Sequence, residues 1–213
     1  MKHIIFTKTM QKCLSFPLRM MIEPLVQRVA SLLELINTTS AEIATYDKII
    51  ATLYAKLDEK KIFLSFPGAG EVLAPRLVAL FGQDMERFQN AQELQIITGC
   101  APVTVKSGKS KKVHMRWAGS KFQRQTMTEF AKCSVKFCPW ARAFCELHRP
   151  NKDEGEPYHT TIRKLAFKWV RILFQCWKNG RPYDEAEYLE SLRRSNSPIW
   201  GQLQRMQSES TAS

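Results

Sequence analysis

A serine beside a glycine in a lysine-rich stretch is the part of this sequence best suited to chemistry on phosphate. Ser107 precedes Gly108, and four lysines surround the pair: Lys106, Lys109, Lys111 and Lys112. A hydroxyl in this positive potential could attack a phosphodiester, because nearby cations stabilise the charge that builds on the phosphoryl oxygens. An ordinary solvated loop has the same composition. A phosphate-binding P-loop is excluded, since its upstream glycine is missing and no strand is predicted before the segment.

The residues that follow alternate between basic and aromatic types. Arg116, Lys121 and Arg124 could neutralise phosphates, while Trp117 and Phe122 could stack on bases. The alternative is that both rings belong to the core and the cations form its solvated rim. The residue types fit the two interpretations equally well.

Overall charge points to the same region. The chain has 213 residues, 44% of them hydrophobic, and a formal net charge of +12, so it can bury a core and favours a polyanionic partner. Residues 105–125 carry seven basic and no acidic groups. No stretch is apolar enough to span a bilayer, and basic residues interrupt the first 21 positions before a secretory segment can form. We therefore expect a cytoplasmic protein that binds DNA or RNA and no membrane.

The six cysteines include no Cys-x-x-Cys pair, which favours free or buried thiols over disulfides in an intracellular chain. Cys138, Cys145 and His148 lack the spacing of the common zinc fingers. We expect no metal site in this chain.

An apolar seven-residue repeat begins at Leu25. Nine of the ten positions in its two interleaved series are apolar: Leu25, Leu32, Thr39, Tyr46 and Leu53, with Val29, Ile36, Ile43, Ile50 and Leu57. Such a seam needs a partner helix, so residues 25–60 are predicted to form a coiled coil that joins copies of the chain. The alternative is a helical hairpin folded on the rest of the chain, with a capping box from Thr39 to Glu42 dividing the segment. The unbroken phase across Thr39 favours one long helix.

A glycine-rich turn at residues 67–70 separates two predicted helices and resembles a helix-hairpin-helix. In that motif, glycines such as Gly68 and Gly70 let backbone N–H groups approach a phosphate without reading sequence. An ordinary turn between helices fits the pattern as well, and the motif does not require Pro75 inside its second helix. Residues 67–104 carry two basic and four acidic groups, which weakens a direct contact with DNA.

Helical patterns account for most of the remaining chain, and no strand is predicted. Short helices are predicted after the N-cap Asn90 and over residues 140–148, and longer ones over residues 122–135 and 158–178. The predicted fold is all-α: a long coiled-coil helix or helical hairpin, followed by a compact helical domain with a helix-hairpin-helix-like element. The expected divisions are an irregular segment at 1–24, the coiled-coil region at 25–60, the compact domain at 61–184 and a polar, partly disordered tail at 185–213.

An ordered series of short motifs carries a family resemblance. The series comprises Phe66-Pro67-Gly68-Ala69-Gly70, Arg87-Phe88, Gly99-Cys100-Ala101-Pro102 with Ser107-Gly108, Ala118-Gly119-Ser120 with Arg124, Arg163-Lys164-Leu165-Ala166, and Gly180-x-Pro182-Tyr183. Over residues 60–184 it resembles the C-terminal transposase domain of the insertion sequence 110/116/902 transposases. Each piece alone is weak evidence, whereas their order and spacing together are specific.

The resemblance implies a DNA recombinase that excises and inserts its mobile element, with a structured bridge RNA guiding target choice in some members. It implies that Ser107 is the nucleophile that forms a covalent phosphoserine link to DNA. It also implies that the seam of residues 25–57 is the linker coiled coil that pairs subunits.

The family's N-terminal RuvC-like domain, whose four acidic residues bind Mg2+, has no counterpart in this sequence, which therefore looks like a truncated or frameshifted transposase. We expect no cofactor in this chain, and nucleic-acid binding that survives better than catalysis. Recombination would need a RuvC-like domain from another polypeptide.

Three functions stay open at this point. The first is a DNA-binding transposase fragment in which Ser107 acts as nucleophile. The second is a non-catalytic regulatory remnant that assembles with full-length transposase and is indifferent to Ser107→Ala. The third is a helix-hairpin-helix repair factor, which would prefer branched or damaged DNA.

Overall fold

Helices dominate the structure, which confirms the predicted all-α class. The computed structural model describes residues 16–149 and 156–211, and these form nine helices and one two-stranded sheet. The helices are α1 (Phe16–Ala55), α2 (Lys60–Leu64), α3 (Gly70–Phe81), α4 (Ala91–Ile97), α5 (Lys121–Phe137), α6 (Pro139–His148), α7 (Tyr158–Lys178), α8 (Glu185–Arg194) and α9 (Pro198–Thr211). The strands are β1 (Val103–Ser107) and β2 (Ser110–His114). None of the described helices combines the length and the apolar character needed to cross a membrane.

The chain divides into two compact units, residues 1–52 and residues 53–213, and the described part of the first is a single stretch of α1. Thr39 does not cap a second helix, because its Oγ1 donates a hydrogen bond to the carbonyl oxygen of Leu35, at 2.8 Å, within α1. A division of the segment at Thr39 is therefore wrong.

Helix α1 also begins earlier than predicted. Residues 16–24 are helical where an irregular segment was expected, and residues 1–15 lie outside the described part of the chain. The stretch has no clear apolar period, but Leu18, Arg19, Met20 and Met21 follow one another in it, and these are residues with high helix propensity.

The apolar seam of α1 is exposed within the first unit. Leu25, Ile36 and Ile43 expose 60%, 59% and 55% of their surface. Covering a continuous row of apolar side chains with another surface is favourable, because it removes apolar area from water. A coiled coil through this helix stays a prediction.

The core of the second unit is built around aromatic rings, several of them from the family-like motifs. Phe66 stacks on Tyr183 with ring centroids 5.1 Å apart. The fully buried Trp169 of α7 meets Trp140 at 4.6 Å and Phe130 at 5.2 Å. Trp140 Nε1 donates a hydrogen bond to the hydroxyl oxygen of Tyr183 at 2.8 Å. The motifs that contain Phe66 and Tyr183 therefore have a packing role, because these two residues join distant parts of the chain.

Residues 103–114 form an antiparallel hairpin where a loop was predicted. Val103 pairs with His114 and Ser107 with Ser110, which leaves Gly108 and Lys109 as a two-residue turn. Gly108 has a φ of +54°, a value that suits the first position of a type II′ turn and that glycine adopts without strain. The prediction of no strand is wrong. The many lysines made the segment look like a loop, although four β-branched residues in it favour strands: Val103, Thr104, Val105 and Val113.

The region after residue 184 is helical and packed, so the prediction of a polar, partly disordered tail is wrong for its described residues. Asp184 caps α8, because its Oδ1 accepts a hydrogen bond from the backbone N–H of Ala186 at 2.8 Å. Ile199 and Leu203 of α9 are buried, and α9 packs mainly on α6. These two residues lie one helical turn apart and form a short apolar stripe. The many serines and glutamines around them in the sequence make this pattern hard to recognise.

Candidate nucleic-acid interface

The hairpin of β1 and β2 presents lysines on both faces. Because side chains alternate along a strand, Ser107 and Lys112 share one face, while Lys106 and Lys111 share the other. Lys106 and Lys111 stand directly opposite each other, and like charges in that position repel unless an anion lies beside them. All residues from 104 to 114 are exposed. Within the described part of the chain, no acidic side chain forms an ion pair with these lysines.

Ser107 ends β1 at the exposed tip of this hairpin. Its cross-strand neighbour is Ser110, and Lys109 occupies the adjacent turn. Alternation along the strands therefore leaves Lys112 on the side of Ser107, whereas Lys106 and Lys111 face away from it. No group in the described residues forms a hydrogen bond with the Ser107 hydroxyl, so no base is placed to take its proton. The β1 strand does not make this segment a P-loop, because the upstream glycine is still missing.

Arg124 is anchored to the fold next to the hairpin. Its Nη2 donates a hydrogen bond to the carbonyl oxygen of Trp117 at 2.9 Å. Gly99 lies against the same side chain, since a Cβ added there would stand 2.8 Å from the Arg124 Nε. Arg124 thus fixes the segment that leads into α5, in addition to the phosphate contact predicted for it.

Arg116 and Lys121 lie on either side of this segment. Arg116 is half-buried, and its Nε donates a long hydrogen bond of 3.4 Å to the carbonyl oxygen of Ala101. Lys121 is the exposed first residue of α5. A cation at a helix N-terminus gains nothing from the helix dipole, so helix stability does not explain a lysine there. A phosphate contact at either residue stays a prediction.

The two aromatic candidates differ in their surroundings. Trp117 exposes 80% of its surface, and no described aromatic ring or cation lies against its indole. Phe122 exposes 45%, and the guanidinium of Arg76 lies 5.5 Å from its ring centroid. Arg76 also pairs with Glu129, which ties Phe122 to a charged cluster on α3 and α5. Trp117 is therefore outside the core and has a free ring face.

The glycine turn lies between α2 and α3, as predicted. Gly68 has a φ of +81°, and a Cβ there would stand 3.0 Å from the backbone carbon of Cys133 in α5. Gly70 has a φ of +54° and open space around it. Close packing on α5 therefore requires Gly68, whereas Gly70 is the glycine whose backbone is open. A phosphate contact at this helix-hairpin-helix-like turn stays a prediction.

The cysteines of the described residues are free, as predicted: Cys100, Cys133, Cys138, Cys145 and Cys176. Burial raises the pKa of the Cys100 thiol to about 11. Cys138 is buried, and its Sγ donates a hydrogen bond to Glu185 Oε1 at 3.3 Å, so this thiol has a partner within the core. Cys13 lies outside the described residues.

The Mg2+ that the family resemblance implies needs several acidic side chains close together. In the part of the chain that the structure describes, no three His, Cys, Asp or Glu side chains come together to hold a metal ion. These residues do not fit a magnesium site, so no catalytic step through Mg2+ is assigned to them.

Comparison with known proteins gives this site a family context. Residues 60–146 match the model of the Transposase IS116/IS110/IS902 family. The match begins at α2 and ends within α6, and it includes the glycine turn and the lysine hairpin. The predicted resemblance to this family is confirmed for these residues.

Two relatives are similar over a wider range. A Streptomyces coelicolor protein named for the mini-circle transposase of IS117 is 25% identical over 158 residues, which are 74% of this chain and 37% of that protein. An uncharacterized 42 kDa protein of insertion element IS900 from Mycobacterium paratuberculosis is 26% identical over 161 residues, which are 74% of this chain and 39% of that protein. The chain thus spans less than two fifths of the length of either relative.

Proposed function

We propose that this chain is a DNA-binding part of a transposase and acts in the transposition of an insertion element. The observation that carries the proposal is the exposed hairpin, whose lysines have no acidic partner among the described residues and lie within the range matched to a transposase family. The repulsion between Lys106 and Lys111 would fall on contact with a polyanion. DNA is the substrate that this charge and this family favour.

We further propose that Ser107 is the nucleophile for strand exchange. Its Oγ would attack a phosphorus atom, form a serine–phosphate bond and release the oxygen of the departing strand, which takes up a proton. Lys112 would stabilise the charge on the phosphoryl oxygens, because it lies on the side of Ser107, and Lys109 in the adjacent turn would add to the positive potential. The base and the Mg2+-binding acids would be supplied by residues outside these 213, and a structured guide RNA and a second copy of the seam of α1 would complete the assembly.

A salt series tests the interface. We would measure duplex binding of the wild type, of Lys109→Ala/Lys111→Ala/Lys112→Ala, and of Lys56→Ala/Lys61→Ala/Lys136→Ala, in which three exposed lysines elsewhere are changed. For each tenfold rise in salt concentration, the logarithm of the binding constant falls by about 0.9 for every phosphate that the protein neutralises. The hairpin variant should bind all sequences more weakly and with a flatter salt slope.

The control variant has the same net charge as the hairpin variant, and it should keep the wild-type slope. Equal losses in the two variants would mean that bulk charge drives binding. An unchanged slope in the hairpin variant would place the interface elsewhere. Preference for branched over linear duplex, independent of element ends, would instead favour the repair-factor function.

A second candidate function is favoured by the unpartnered Ser107 hydroxyl. In this role the chain is a non-catalytic subunit that joins full-length transposase through the seam of α1 and occupies element ends. When this chain is added to full-length transposase, recombination should fall. The Ser107→Ala variant of the chain should inhibit recombination to the same extent. Inhibition that depends on Ser107 would contradict this role.

A further inference from the structure

Trp117 is the most exposed large hydrophobic side chain among the described residues, at 80% of its surface. Three other tryptophans, Trp140, Trp169 and Trp177, are completely buried in the core. An indole left in water contributes none of the burial energy that these three supply. Packing therefore does not explain a tryptophan at this position, three residues beyond the end of β2.

The backbone beneath Trp117 is held in place. Its carbonyl oxygen accepts the hydrogen bond from Arg124, and Arg116 before it reaches the carbonyl oxygen of Ala101. Gly119 after it is so close to Ile97 that a Cβ would stand 2.7 Å from the Ile97 carbonyl oxygen. The ring is thus free while its attachment is fixed, which lowers the entropy lost when a flat partner settles on it.

We infer that Trp117 stacks on an unpaired base of the nucleic acid whose phosphates contact the hairpin lysines. The inference rests on the proposed function, since those lysines supply the adjoining phosphate contacts. Inside a duplex each base is covered on both faces by its neighbours, so only an unpaired or extruded base offers a face to the indole. Strands of this length rise about 3.4 Å per residue, which places the hairpin tip roughly 14 Å from its base near Trp117. A single strand lying along the hairpin can contact both ends.

Paired oligonucleotides separate stacking from charge. Fluorescence anisotropy would compare binding of a labelled thymidine oligonucleotide with that of an abasic one of equal length, which keeps the phosphates and lacks the bases. The wild type should prefer the thymidine strand by about five- to hundredfold, the range for stacking on one base. Trp117→Ala should abolish the preference, whereas Trp117→Phe should keep most of it. Thermal melting should match the wild type, because the exposed ring makes no core contact.

Two controls keep the tests of charge and stacking distinct. Phe122→Ala should leave the preference unchanged, because Arg76 covers that ring. The hairpin lysine variant should lose affinity for both oligonucleotides and keep their ratio. Equal wild-type affinity for the two strands, or a preference that survives Trp117→Ala, would overturn stacking and leave the lysine interface standing. Full affinity of the lysine variant for the abasic strand would instead overturn the proposed interface.

Discussion

Gly119 approaches Ile97 so closely that a Cβ added to it would stand 2.7 Å from the Ile97 carbonyl oxygen. The contact joins the end of α4 to the segment that carries Trp117. Gly99, which follows α4, lies against Arg124 at the start of α5 in a similar way, with a Cβ position 2.8 Å from the Arg124 Nε. The hairpin therefore leaves the end of α4 and returns to it, and the two glycines set how closely its ends meet.

Replacing Gly119 by alanine should destabilise the second unit strongly. Its φ of +121° is a conformation that other residues rarely adopt, and the clash is with backbone that cannot rotate away. Together these effects should lower the free energy of unfolding by about 3 kcal/mol. Gly70→Ala is the matched control, because Gly70 has a φ of +54° and open space, so it should lose about 1 kcal/mol. Urea unfolding of the two variants measures the difference, and equal losses would show that the contact with Ile97 is unimportant.

Local signals predicted the elements around this contact but not the contact itself. The side-chain oxygen of Asn90 accepts a hydrogen bond from the Glu93 N–H at 3.0 Å, as its place before a helix predicts. The approach of Gly119 to Ile97 joins residues from separate elements, and no periodic pattern encodes it. The sequence likewise could not show which of Trp117 and Phe122 has a free ring. Arg76 lies over the Phe122 ring only because α3 packs on α5.

The lysine hairpin shows how charge can conceal secondary structure. Composition marked residues 105–125 as the most basic stretch of the chain, because seven basic groups stand there without an acid. It could not reveal that alternation along β1 turns Lys106 away from Ser107. The sequence therefore predicted the candidate site, and the strand register shows which lysines share a face with the serine.

Ser107→Ala should abolish a covalent link to DNA and leave binding unchanged. The side chain is exposed and unpartnered in the described residues, so its loss removes no structural contact. The assay incubates the chain with nicked or duplex element ends, Mg2+ and the remaining part of a transposase of this family, and detects a protein–DNA adduct on a denaturing gel. Ser110→Ala is the control, because Ser110 is the cross-strand neighbour on the same face. An adduct that survives in Ser107→Ala, or that disappears equally in Ser110→Ala, would exclude Ser107 as the specific nucleophile.

Alkaline pH should weaken the fold through the Cys100 thiol. Burial raises the pKa of this thiol to about 11, whereas an unfolded cysteine has a pKa near 8.5. The stabilisation is fully present below about pH 8.5 and is lost as pH rises toward 11, because only the unfolded state then ionises. The loss should approach about 1.4 kcal/mol per pH unit within that window. Urea unfolding under reducing conditions measures it, and Cys100→Ala should lose less stability over the same interval; parallel losses in the two proteins would assign the effect to other groups.

Leu203→Ala should show whether α9 is an integral part of the second unit. Leu203 exposes 2% of its surface, and the helix that carries it packs mainly on α6. Truncating a buried leucine leaves a cavity and should lower the free energy of unfolding by about 3 kcal/mol. The exposed neighbour Gln204 provides the control, because Gln204→Ala should change stability by less than about 0.5 kcal/mol. If urea unfolding finds the two variants equally stable, α9 does not contribute to the core, and the description of this region as a polar, loosely ordered tail regains its support.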